Sequence, residues 1–379
     1  MKLIEKKIPE AFLPGEFIRE ELEAREWGQI DLAAILGRSP NIISDIISGK
    51  RSISPDIAQE LASAFGTSAE LWLNLQTAHD LAMAERSNHA VARRAVIYDR
   101  VPIREMLKRG WIGESSNVDV LESRVCQFLE ISDLRSEASF AHAARKSDDY
   151  GKITTAQLAW LMRAKKLAQA LKAEAKYLDD RFDLMMTELA SLLSEPESIR
   201  TIPRILSKYG LRFIVVEHLP KTKVDGACFG LDEHSPVVVL SLRYDRIDWF
   251  WHTLCHELKH VRERDWERAP LVETKVMGED AQPTDEKPDE EKKADKFASE
   301  FLVDQPRLDD FVARHHPFYS QKSIIAFSKL IPVHPGIVIG QLQFKGVMRY
   351  SNLRGLLVRV RDIITSTAIT DGWGRTIVI

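Results

Sequence analysis

The residues best equipped for chemistry are His256-Glu257-Leu258-Lys259-His260. On a helix, positions four apart share a face, so His256 and His260 present two imidazoles to one Zn²⁺. Glu257 lies between them, angled to polarise a water at the metal. A zinc hydrolase needs a third protein ligand and an open fourth position. Downstream, Glu291 and Asp295 form another i, i+4 pair. Glu291 can reach the metal, and Asp295 can accept a hydrogen bond from the far nitrogen of a ligating histidine, fixing its tautomer and raising its basicity. The competing reading is two unrelated histidines on a solvated helix, with Glu291 part of an acidic surface run.

The flanking pattern says what must position these groups. Phe250, Trp251, Leu254, Leu258 and Val261 form an apolar stripe at helical spacing, predicting a buried helix from about Asp248 to Arg264. Ala294, Phe297, Ala298 and Phe301 do the same for a helix from about Asp289 through Phe301. Leu211–Val216, Gly226–Leu231 and Pro236–Leu242 are β-branched, apolar and separated by turn residues, which predicts three strands. Glu273–Glu291, rich in Asp, Glu, Lys and Pro, reads as a solvated loop. His252, one turn before His256, competes as a ligand but leaves no glutamate between the pair. Cys255 points into the core, and His334-Pro335 reads as a turn.

Asp225-Gly226-Ala-Cys-Phe, Val-Leu-Ser-Leu-Arg243, the His256–His260 motif and Glu291-Lys-Lys-Ala-Asp-Lys-Phe-Ala298 together resemble the ImmA/IrrE family of metallopeptidases over roughly residues 200–345. Those are small gluzincins, with HExxH followed by ExxxD. The resemblance implies His256, His260 and Glu291 as zinc ligands, Glu257 as general base and Asp295 as the partner of a ligand histidine. It also implies a repressor-like protein as substrate. The chain departs from the family at Lys259, usually Gly, and at His252, where an aromatic is usual.

Residues 14–84 are punctuated as short helices. Pro14 opens the first and Trp27-Gly28 closes it, the second runs from Gln29 to Leu36 before Gly37, and Ser39-Pro40 and Ser54-Pro55 are start signals. Thr67 and Glu70 have capping-box spacing for a fifth helix. The tight Gly37 connection is the layout of a helix-turn-helix. Pro14-Gly15-Glu-Phe-Ile-Arg-Glu-Glu-Leu, Gly49-Lys50-Arg51 and Glu70-Leu-Trp-Leu-Asn-Leu-Gln76 resemble HigA-type antitoxins of the Xre repressor class over residues 9–84. This implies five helices, a homodimer and a recognition helix from Pro40 to Ser48 in the major groove of operator DNA. Asn41 and Ser44 then face base edges, and Lys50 and Arg51 face phosphate. Through residue 80, eight Lys/Arg stand against thirteen Asp/Glu, so there is no broad basic footprint. A helix-turn-helix kept for protein contacts is the competing reading.

The remaining features set the frame. At 379 residues, 44% hydrophobic and 29% charged, the chain is an ordinary globular one with room for two or three domains. Cys126, Cys228 and Cys255 are scattered without CxxC pairing, the N-terminus lacks a secretory stretch and no apolar run spans a bilayer, so a cytoplasmic protein without membrane contact is expected. Expected is a mainly α chain with an α+β C-terminal domain. Its parts are a helix-turn-helix domain at 1–84, a helical middle region at 85–200, a minimal gluzincin at 201–350 and an extension at 351–379. Expected function is a zinc endopeptidase cutting a repressor or antitoxin-like protein, with a cognate toxin as a further partner. The alternative is a DNA-binding regulator or antitoxin whose metal site senses or is structural without proteolysis.

Overall fold

A computed structural model of the chain describes residues 12–134, 153–267, 271–274 and 287–376. The chain divides into two compact units, Met1–Ala95 and Val96–Ile379.

The first unit contains α1 (Pro14–Ala24), α2 (Gln29–Leu36), α3 (Pro40–Ile47), α4 (Pro55–Phe65) and most of α5 (Ala69–Arg100). Prolines at the first turn start α1, α3 and α4, and Gly37 and Gly66, at φ 64° and 71°, end α2 and α4 in the left-handed region. The Ser54 hydroxyl accepts from the Ile57 N–H at the start of α4. Ile18, Leu32, Ile43, Ile46, Ile47, Leu61 and Trp72 fill the core. The expected cap of the fifth helix is displaced by one residue. Ser68 accepts from Leu71 N at 3.2 Å, while Thr67 accepts from the Trp72 indole N–H at 2.8 Å. The helix also runs on to Arg100, well beyond residue 84.

Among the described residues of the second unit, six strands form one mixed sheet: β1 (Arg212–Val216), β2 (Val224–Gly230), β3 (Pro236–Leu240), β4 (Leu271–Thr274), β5 (Ile369–Gly372) and β6 (Arg375–Thr376). Their order is β4-β2-β3-β1-β5-β6, with β1 parallel to β3 and β5 and the other pairs antiparallel. Strand alternation sends Phe213 and Val215 into one core and Ile214 and Val216 into another, so helices cover both faces. On the Ile214 face lie α6 (Ile103–Lys108), α7 (Val118–Leu129) and α8 (Thr155–Ala170), with the Trp160 indole donating to Val216 O at 3.0 Å. The Phe213 face carries α9 (Phe182–Ala190), α10 (Ile202–Lys208), α11 (Ile247–Arg262), α12 (Asp289–Leu302), α13 (Gln305–His315), α14 (Gln321–Leu330), α15 (Pro335–Phe344) and α16 (Arg361–Ile364).

The three expected strands are present, and three more accompany them. β4 takes up Glu273 and Thr274 from the segment read as a loop, because both pair with β2. Residues 275–286 of that segment, and 135–152 of the region read as helical, lie outside the described residues. From the expected C-terminal extension, Ile369, Thr370 and Asp371 pair in register with Ile214, Val215 and Val216. Among the described residues, no single helix is long and apolar enough to cross a membrane.

Candidate functional site

Two packed helices build the site. Phe250, Trp251, Leu254, Cys255, Leu258 and Val261 anchor α11 in the core, and Ala294, Ala298 and Leu302 anchor α12. Their facing sides carry the polar groups. His256 Nε2 stands 2.9 Å from Glu291 Oε2, His260 Nε2 stands 3.3 Å from Glu291 Oε1, and the two Nε2 atoms are 3.3 Å apart. All three residues are at most 3% exposed.

Each ring is held from behind by a carboxylate. His256 Nδ1 donates to Asp295 Oδ1 at 2.9 Å and His260 Nδ1 donates to Asp265 Oδ2 at 3.0 Å. With both Nδ1 atoms so engaged, the two Nε2 atoms face each other and the Glu291 carboxylate, a place where positive charge is favoured, as ring protons or as a bound cation. Burial opposes charging the rings, yet Asp295 and Glu291 raise the His256 pKa well above its ordinary value, and Asp265 and Glu291 raise that of His260 to about 10. Burial alone would raise Glu291, but its bonds with the two histidines outweigh that and hold it well below the usual range. Glu291 Oε1 is buried, with His260 Nε2 beside it at 3.3 Å as its charged neighbour. Two imidazoles and one carboxylate, with ligand atoms within 4.8 Å of one another, fit a divalent cation of zinc type.

Glu257 is fully buried beside this group, and neither oxygen has a hydrogen-bond partner among the described residues. Burial pushes its carboxyl up to about 7 against the opposing pull of the histidines. Gly226 on β2 makes the room, since a Cβ there would lie 2.5 Å from Glu257 Oε1. The neighbouring Asp225 is locked by a bidentate pair with Arg243, at 2.8 and 3.2 Å.

The structure therefore brings together His256, Glu257, His260, Glu291 and Asp295. Asp265 was not foreseen. It lies five residues beyond His260, past the end of α11, where helical periodicity no longer says which acidic residue turns back. His252 is fully buried, neither ring nitrogen has a hydrogen-bond partner among the described residues, and its Nε2 lies 3.6 Å from Asp295 Oδ1. Cys255 is in the core, and His334 caps α15, accepting from Gly336 N at 3.1 Å. Lys259 pairs with Glu263 and lies over the Phe297 ring, 5.6 Å from its centroid.

In the first unit, Ile43, Ile46 and Ile47 bury one face of α3, and Asn41 and Ser44 are exposed on the other. Pro40, Lys50 and Arg51 are exposed as well, and Asp45 is half-buried.

Known proteins align with this first unit. A helix-turn-helix family model matches residues 18–72. Virulence-associated protein I of Dichelobacter nodosus is 42% identical over 82 residues, covering 21% of this chain and 76% of the relative. The uncharacterized HTH-type transcriptional regulator YddM of Escherichia coli K12 is 34% identical over 74 residues, covering 20% and 79%. Among solved structures, the Pseudomonas aeruginosa antitoxin HigA with the higBA promoter is 38% identical, covering 21% of this chain and 86% of that one at a TM-score of 0.20. Through its N-terminal unit, the chain belongs to the helix-turn-helix family.

Proposed function

We propose that the protein is a DNA-binding regulator of the helix-turn-helix antitoxin type whose second unit holds a zinc centre equipped for peptide hydrolysis. The DNA half rests on the helix-turn-helix match, on the similarity to the HTH-type regulator YddM, and on the exposed Asn41 and Ser44 of α3. A homodimer on operator DNA is part of this reading, with Asn41 and Ser44 at base edges and Lys50 and Arg51 at phosphate.

One observation carries the hydrolytic half: a buried Glu257, with no hydrogen-bond partner among the described residues, stands beside the cluster of His256, His260 and Glu291. The last three are the residues that hold the metal. Zinc, when bound, supplies Lewis acidity toward a peptide carbonyl and its attacking water. Glu257 takes the proton and returns it to the leaving amine. Asp295 and Asp265 keep the imidazoles in the ligating tautomer. The substrate class is a repressor or antitoxin-like protein. Incubating zinc-loaded protein with repressors encoded beside it, then reading the products by mass spectrometry, tests this. Cleavage that vanishes in Glu257→Gln supports it.

The enclosure of the centre favours a second reading. His256, Glu257, His260, Glu291 and Asp295 are all at most 5% exposed, which suits a metal site that senses or stabilises without cutting. Regulation that survives in Glu257→Gln, with no substrate cut by the wild type, decides for it.

A further inference from the structure

Asp295 receives more than the His256 ring. Its second oxygen, Oδ2, accepts from the Lys287 ammonium at 2.6 Å, and the two side chains are 7% and 8% exposed. Lys287 does not lie on α12 but two residues before its first residue, Asp289, and reaches forward over two turns to residue 295. A buried lysine is costly unless paired, and here its pair is the carboxylate that holds a ligand histidine.

His252, His256 and Asp295 also have ligand atoms within 4.8 Å of one another, which raises the question of a second cation. The Lys287 ammonium already supplies a positive charge to Asp295, and His256 Nδ1 is engaged on Oδ1. A further cation would meet repulsion rather than an uncompensated carboxylate. The geometry points instead to Lys287 acting on the metal centre through Asp295.

We propose that Lys287 is a positioning residue of the metal centre, pinning the Asp295 carboxylate so that it stays on His256 Nδ1 and thereby setting metal affinity from outside the ligand shell. With Oδ2 clamped, Oδ1 is held toward His256 at 2.9 Å rather than toward His252, whose Nε2 lies 3.6 Å from it. Without Lys287 the carboxylate is free to turn, and the tautomer and orientation of His256 are less well fixed. The proposal rests on the reading of His256, His260 and Glu291 as ligands.

Co²⁺ titration of the full chain, followed by visible absorption, and Zn²⁺ competition with a chromophoric chelator test both levels separately. In Lys287→Met, metal affinity is expected to fall about three- to tenfold, less than for a group touching the ligand directly. Lys287→Arg, which retains the cation, is expected to restore most of it. In an Asp295→Asn background, Lys287→Met is expected to change affinity by less than about twofold, because the route through Asp295 is already cut. Should Lys287→Met not fold, Lys287→Gln carries the same cycle. Unchanged affinity in the single variant, or an equal loss in the Asp295→Asn background, overturns the proposal and leaves the ligand assignment standing. A wild type that binds neither metal overturns the ligand assignment itself.

Discussion

A buried carboxylate with no hydrogen-bond partner among the described residues, as Glu257 is, gains nothing for the fold, so its position beside the two histidines calls for a chemical reason. Glu257→Gln keeps the shape and removes the basicity. Expected is full zinc content with cleavage reduced by at least about a hundredfold, read from elemental analysis and a cleavage assay. Asp295→Ala acts on the ligand instead. It is expected to weaken zinc about 10–100-fold, with activity restored by excess metal. These two variants fail in opposite ways, which separates proton transfer from metal retention. The main site residues were legible because an i, i+4 pair needs only helical geometry to meet. Asp265 was not legible, because the chain leaves the helix before reaching it and its return depends on the turn at Arg264, φ 58°.

The contact between α11 and β2 is what confines Glu257, and Gly226 is its narrowest point. A methyl group there would meet Glu257 Oε1 at 2.5 Å and Thr253 Cγ2 at 3.0 Å. Gly226→Ala is expected to cost about 1–3 kcal/mol in urea unfolding and to lower metal content with it. Retained stability and full metal would show that the helix and strand adapt. Helix α2 is legible at both ends, since Gly28 and Gly37 bracket a segment that is apolar apart from Gln29 and Asp31. The strands β1 to β3 are legible because they are buried and, apart from Arg212 and Asp225, apolar. β4, β5 and β6 span four, four and two residues, too short for a periodicity to emerge. Only their partners across the sheet define them. The fifth helix outran its expected end because no glycine or proline interrupts residues 69–100.

For the whole molecule, the proposed function joins a helix-turn-helix unit to a metal unit in one chain. Operator binding by the full chain is expected to weaken with salt, and Lys50→Ala or Arg51→Ala each to lower the slope of log K against log salt by about 1. Ser44→Ala, on the exposed face of α3, is expected to alter sequence preference with the salt slope unchanged. Gel-shift or fluorescence-anisotropy titrations at several salt concentrations read both. Binding that ignores all three substitutions would place α3 outside the interface. The regulatory reading of the second unit stands on metal being bound at all. The most direct measurement is therefore elemental analysis of the purified full chain beside its His260→Ala variant. One zinc per chain in the wild type, lost in the variant, is the expected result. Absence of metal from the wild type after zinc loading, or equal metal in both proteins, would contradict it.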